Sequence, residues 1–351
     1  MLGKLLDGRY RIVRVLSAGG FGETYIAEDT RRVGNPMCVV KRLKPASNDS
    51  NYLETARRLF YSEAETLEKL GDHNQIPRSL AYFEEDEEFY LVQDFIDGLP
   101  LSAELQTNQR WTESQVIEFL KDVLSILEFV HSYGVIHRDI KPDNLIRRHR
   151  DGKLVLIDFG AVKQVQTQLA TSQTQMPPTV AIGTPGYMPA EQAQGRPRPN
   201  SDIYALGIIG IQALTGLYPT QLQVDPNTEE IVWKHQAQVS ERLTEVLSRM
   251  VCYDCRKDRY QSATEVLQVL QYLANPFPPT QPVVSYEYQS KRETNRPNYT
   301  PAPPRNLSQR RLTSTPQIQV SSERLQQVAK IGLIPFIVLP IVFLLWGLFV
   351  R

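Results

Sequence analysis

Residues 137–144 read His-Arg-Asp-Ile-Lys-Pro-Asp-Asn, HRDIKPDN. This run of eight holds two carboxylates, a carboxamide, an imidazole and two cations. Proline at the sixth position argues against a continuous helix, so the run reads as a loop. Nineteen residues after Asp139, Asp158-Phe159-Gly160 closes the apolar strand LVLI. The turn pair Asp151-Gly152 lies between them,. Asp139, Asn144 and Asp158 therefore converge at strand and loop ends. Their hard oxygen atoms suit Mg²⁺.

Upstream, Lys41 ends the apolar run CVVK. A lysine on a core-facing strand is costly unless an anion meets it. Nineteen residues before it stands Gly22, in LSAGGFGETY, Leu16 to Tyr25. Glycine loses much conformational freedom on ordering, so three within four residues suggest that something approaches the backbone closely. The stretch lies between two strands. A dinucleotide-binding loop would open a helix, so a hairpin turn over phosphate groups fits better.

Around these points the chain divides by character. Tyr10 to Leu16, Thr24 to Ala27 and Met37 to Arg42 read as strands,. Asn51 to Leu70 carries a 3.6-period apolar stripe and reads as a helix ended by Gly71,. LAYFEE and FYLVQDF are two more strands. After Gly98 helices dominate. Thr112 and Gln115 make a capping box ahead of a stripe from Val116 to Val130, and Asp202–Thr215, Ser240–Cys252 and Ser262–Ala274 follow,. The fold class expected is α+β: a small β-rich lobe, a larger helical lobe and a cleft between them.

HRDIKPDN and DFG, at this spacing behind a glycine loop and a strand lysine, resemble the protein kinase signature. The resemblance covers Tyr10 to Leu273. The wording GGFGETYIAED is similar to bacterial serine/threonine kinases of the eukaryotic-like type, those of cyanobacteria above all. It implies a domain over 10–274 (N-lobe 10–95, C-lobe 98–274) after a lead-in over 1–9. It implies ATP as cofactor with Mg²⁺, or alternatively Mn²⁺. Leu16, Ser17, Gly19, Gly20, Gly22 and Thr24 would cover the nucleotide, and Lys41 would hold its phosphates. Glu63 would pair with Lys41, Glu65 being the alternative. Asp94 to Ile96 would meet the adenine through backbone groups. Asp139 would accept the proton of the substrate hydroxyl, and Asn144 and Asp158 would bind the metal. Lys141 marks serine/threonine specificity. Thr184 would face the acceptor, Asp202 would anchor the loop, and Glu191 and Arg259 would brace the large lobe. Ser17 takes the slot of the loop's first glycine, Thr24 that of its valine, and Pro189-Ala190-Glu191 stands where Ala-Pro-Glu is typical.

The partners implied are proteins with serine or threonine acceptors and a second copy for trans-autophosphorylation, with Thr174 or Thr179 the expected sites. The competing class is a pseudokinase scaffold. Such proteins lose the strand lysine or one of the two aspartates, and Lys41, Asp139 and Asp158 are all in place. Lys+Arg and Asp+Glu both number 39, so net charge gives no reason to expect nucleic-acid binding,. Three cysteines suit a reducing compartment, and Cys252 with Cys255 makes a lone CxxC, two ligands short of a zinc site,.

Beyond Ala274 the composition shifts. Nine prolines lie from Pro276 to Pro316. Residues 275–330 read as a disordered linker. Ile331 to Val350 is twenty residues without a charge, the length of a transmembrane helix,. Arg310, Arg311, Arg324 and Lys330 precede it, placing the kinase domain in the cytoplasm by the positive-inside rule,. Only Arg351 follows, so no extracellular sensor is expected.

Overall fold

A computed structural model describes residues 1–19, 22–43, 50–159, 184 and 186–274, without the side chains of Asn51, Tyr52, Leu59 and Glu63. Gly20, the threonines expected as phosphorylation sites, the 275–330 segment and the 331–350 span lie outside the described residues. Among the described residues no helix is long and apolar enough to cross a membrane.

The first lobe is a six-stranded antiparallel sheet. Its strands are β1 (Leu5–Leu6), β2 (Tyr10–Gly19), β3 (Gly22–Asp29), β4 (Met37–Leu43), β5 (Ser79–Glu85) and β6 (Glu88–Asp94), in the spatial order β1-β2-β3-β4-β6-β5. Alternation assigns the faces. Tyr25, Ala27, Cys38, Val40, Tyr90 and Val92 form an outer cluster that Leu6 joins from the lead-in. Leu6 is fully buried, so residues 1–9 are part of the sheet and its packing. On the other face Phe89 and Leu91 meet helix α1 (Ser50–Leu70), where Phe60 stacks on Phe89 at 5.1 Å between centroids.

The second lobe is helical. Helix α2 (Glu113–Ser132) begins at the expected capping box: Gln115 N–H donates to Thr112 Oγ1, and Thr112 N–H donates to Gln115 Oε1 at 2.9 Å. Its stripe from Val116 to Val130 is buried. A three-stranded sheet of β7 (Gly98–Pro100), β8 (Leu145–Arg148) and β9 (Leu154–Leu156) joins the lobes' chemistry, with HRDIKPDN leading into β8 and Asp158 leaving β9. Short helix α3 (Ala190–Ala193) precedes helix α4 (Pro199–Thr215), which is buried on all sides,. Gly216 ends α4 at φ +70°, the left-handed cap that glycine adopts without strain,. Helices α5 (Glu241–Met250) and α6 (Ala263–Ala274) complete the lobe.

Candidate active site

The sheet places the nucleotide-loop residues in one row. Ser17 on β2 pairs with Thr24 on β3, Thr24 pairs with Lys41 on β4, and Lys41 pairs with Leu91 on β6. Directly opposed residues of antiparallel strands share a face. The register slips between Val15 and Ser17, leaving Leu16 unpaired in a bulge, nearly half-exposed. Gly19 and Gly22 close the hairpin. Gly22 has φ +132°, and a Cβ there would lie 2.3 Å from the carbonyl oxygen of Arg42. Strand β3 thus passes β4 where only glycine fits.

Lys41 reaches across the cleft. Its Nζ donates to Asp158 Oδ1 at 2.8 Å. Asp158 has φ +62°, a left-handed backbone that turns its carboxylate off the strand line,. The Glu63 side chain lies outside the described residues, and Glu65 is exposed on α1. Asp94 ends β6, and Arg78 Nε donates to its carboxylate at 2.7 Å. The Asp94 N–H is engaged as well, donating to the Arg78 carbonyl at 3.0 Å. Ile96 is half-buried beside it.

Asp139 is 5 % exposed and surrounded by donors. Thr184 Oγ1 donates to its Oδ1 at 3.2 Å, Lys141 Nζ stands 3.2 Å from its Oδ2, and Asn144 Nδ2 donates to that same oxygen at 3.2 Å. Asn144 Nδ2 also donates to the Asp139 carbonyl at 2.8 Å. The loop's shape comes from below. Asp202, on α4 and 1 % exposed, accepts the backbone N–H groups of His137 and Arg138 at 2.9 Å each. Arg138 has φ +65°. Such a conformation persists where its surroundings impose it, as these two bonds do.

His137 is fully buried. Its Nε2 donates to the Ile157 carbonyl at 3.0 Å, and its Nδ1 accepts from Asp139 N–H at 3.3 Å. Burial holds its pKa below the ordinary histidine value, against the pull of the Asp202 charge,. A neutral ring matches that donor–acceptor pattern, so His137 ties two segments together without facing the cleft. Arg259, 1 % exposed, donates to Glu191 Oε1 at 2.5 Å, and Ser201 Oγ donates to the same oxygen at 2.8 Å.

The sequence did not single out three supports. His131 Nε2 lies 2.9 Å from Asp202, Gln192 Nε2 donates to the Arg138 carbonyl at 2.6 Å, and Gln75 bridges Asp122 and the Leu154 carbonyl at 2.8 Å. Each is an ordinary polar residue in sequence and acquires its task only through packing. The cysteines are quiet: burial, then Glu230, pushes the Cys252 thiol up to about 11,. Among the described residues no three His, Cys, Asp or Glu side chains gather as a metal cluster. Asn144 and Asp158 together offer fewer protein ligands than such a cluster, as befits an ion held partly by phosphate.

Two lobes, a glycine hairpin, a strand lysine and an aspartate pair across a cleft define the protein kinase class. The sequence profile of the protein kinase domain matches residues 10–271, and the chain belongs to that family. Serine/threonine-protein kinase PknA of Nostoc sp. is 45 % identical over 281 residues, which cover 80 % of this chain and 50 % of that protein. Serine/threonine-protein kinase C of Synechocystis sp. is 46 % identical over 270 residues, 76 % of this chain and 50 % of that protein. The chain thus spans about half the length of these relatives. The PknI kinase domain of Mycobacterium tuberculosis matches in structure with a TM-score of 0.56 at 24 % identity, over 77 % of this chain and 98 % of that one, and shows the fold.

Proposed function

We propose that this chain transfers the γ-phosphoryl group of ATP to serine and threonine hydroxyls of proteins. The observation that carries the reading is the Lys41–Asp158 contact. It joins a strand lysine to an aspartate 117 residues away across the cleft, at 2.8 Å. The relatives named above are serine/threonine kinases, and Lys141 agrees with that specificity.

Asn144 and Asp158 present the oxygen donors that Mg²⁺ or Mn²⁺ accepts, and they would hold the ion. Bound ATP with its metal supplies the phosphoryl group and offsets its charge. Asp139 accepts the hydroxyl proton, its carboxylate aimed by Thr184, Lys141 and Asn144. Lys141, 3.2 Å from that carboxylate, sets a positive charge beside the reacting oxygen. Lys41 holds the phosphates, and Glu63 steadies it. Backbone N–H groups of the 16–24 hairpin cover the phosphates, which side chains would block. The protein's work is positioning and charge stabilisation.

The finer reading adds location and control. Residues 331–350 anchor the chain in a membrane with the kinase domain cytoplasmic, so substrates near the bilayer are favoured. Threonines between 161 and 182 take phosphate from a second copy, and Arg138 receives it.

The test is radiolabel transfer from ATP to a basic protein substrate. Asp139→Asn lowers the rate by orders of magnitude while ATP still binds, because the proton acceptor acts after binding. Lys41→Ala also abolishes transfer. Robust labelling by Asp139→Asn would overturn the assignment, and a wild-type chain that binds ATP without transfer would be a pseudokinase.

A further inference from the structure

Glu23, Tyr25, Arg42, Glu88 and Tyr90 form a network that the site described above does not use. Arg42 is its centre. Its Nη1 donates to Glu23 on β3, and its Nε and Nη2 donate to the two oxygens of Glu88 on β6 at 2.6 and 2.5 Å. The Tyr25 hydroxyl donates to Glu23, and the Tyr90 hydroxyl donates to Glu88 at 2.8 Å. Both tyrosine rings are buried in the outer cluster, so hydroxyls fixed by packing aim the two carboxylates. An isolated exposed ion pair contributes little to an arrangement. Here Arg42 is only 19 % exposed, its contact with Glu88 is bidentate, and the charges share one network,.

The register shows where the network stands. Glu23 lies opposite Arg42, and Arg42 lies opposite Tyr90. Successive residues of a strand point to opposite faces. Tyr25, Val40 and Tyr90 belong to the outer cluster, so Glu23, Arg42 and Glu88, two residues from each, share the outer face. Thr24, Lys41 and Leu91 hold the cleft face, and the network stands directly behind Lys41. Arg42 also meets the hairpin through its backbone. Its carbonyl oxygen is the atom that a Cβ on Gly22 would strike. A cleft that admits a nucleotide has no core packed under the end of β3 on that side. Support for the hairpin end at Gly19 and Gly22 has to come from the outer face.

We propose that Arg42 and Glu23 are positioning residues for the nucleotide: they clamp β3 to β4 and β6 from behind, and so set the height at which the hairpin backbone meets the phosphates. Neither side chain touches the nucleotide. Each acts through the backbone of Gly22 and Thr24, which the clamp holds before the ligand arrives. The inference rests on the kinase reading above.

The experiment measures, by calorimetry on the full chain, the affinities for ADP with Mg²⁺ and for adenosine, which has no phosphates. The preference for ADP over adenosine falls about threefold to tenfold in Glu23→Gln and in Arg42→Met, the value of one net hydrogen bond. A merely structural role weakens both ligands alike, so an unmoved preference in these variants overturns the proposal. The double variant loses no more than Arg42→Met, because both changes remove one contact; additive losses would overturn the clamp. Glu28→Gln serves as the control, since it removes the pair with Arg11 between β2 and β3 at the far end of the same strand. It keeps the wild-type preference, and an equal fall there would mean that the loss of any ion pair from the sheet suffices, which also overturns the proposal. These are binding measurements. A chain that binds ADP through the clamp and transfers nothing defeats the kinase reading alone, and one that binds no ADP defeats both.

Discussion

Arg259 is 1 % exposed yet carries a full charge. Glu191 offsets it, the carbonyl of Cys252 accepts its Nε–H at 2.8 Å, and its guanidinium lies 4.8 Å from the Tyr204 ring centroid. Removing one partner of such a pair strands the other charge, which costs more than the pair itself contributes. Arg259→Ala is expected to destabilise the domain by about 3–5 kcal/mol, read by urea unfolding. Arg259→Met, which keeps the stem, still leaves Glu191 unpaired and should recover only part of that loss. Ser17 is a contrasting case at the same scale. It fills a slot usually held by glycine, but it lies paired with Thr24 directly after the Leu16 bulge and is not among the residues with positive φ. The hairpin asks for glycine at Gly22 rather than at Ser17, so serine there costs little.

Among the elements, the β2–β3 hairpin carries the most constraint. Its second strand passes so close to β4 that a methyl group on Gly22 would meet the Arg42 carbonyl, in a conformation other residues adopt only under strain. Gly22→Ala should lower stability by about 1–3 kcal/mol in the same unfolding assay and raise the KM for ATP. An unchanged melting curve would show that the hairpin relaxes around the methyl group. Helix α4 acts at this scale too. Asp202 near its start holds the backbone of His137 and Arg138, so the reactive loop is tied to the most buried helix of the domain.

At the scale of the whole molecule, the described core ends with α6, where Leu270 is fully buried against α2. The C-terminal apolar run is separate in sequence from that core. Deleting residues 331–351 should therefore leave thermal stability and phosphoryl transfer intact while moving the protein from the membrane fraction to the soluble one. Cell fractionation with an activity assay reads both. A truncated chain that stays in the membrane pellet would overturn the anchor.

The sequence alone determined the architecture: period-2 and period-3.6 patterns marked most strands and helices, and Thr112 with Gln115 marked a helix start, because these signals act over a few residues. It also named Lys41, Asp139, Asn144 and Asp158, since their spacing belongs to a recognisable set. Short pieces escaped it. Strand β1, the short β7 and β8, and helix α3 have too few residues to show a period, and they form because neighbours supply their hydrogen bonds. Only the tertiary structure decided that Lys41 meets Asp158, that His131 and Gln192 support Asp202 and the reactive loop, and that Gln75 ties β9 to α2. These contacts follow from cross-strand register and from packing between residues far apart in the chain, which no local pattern encodes.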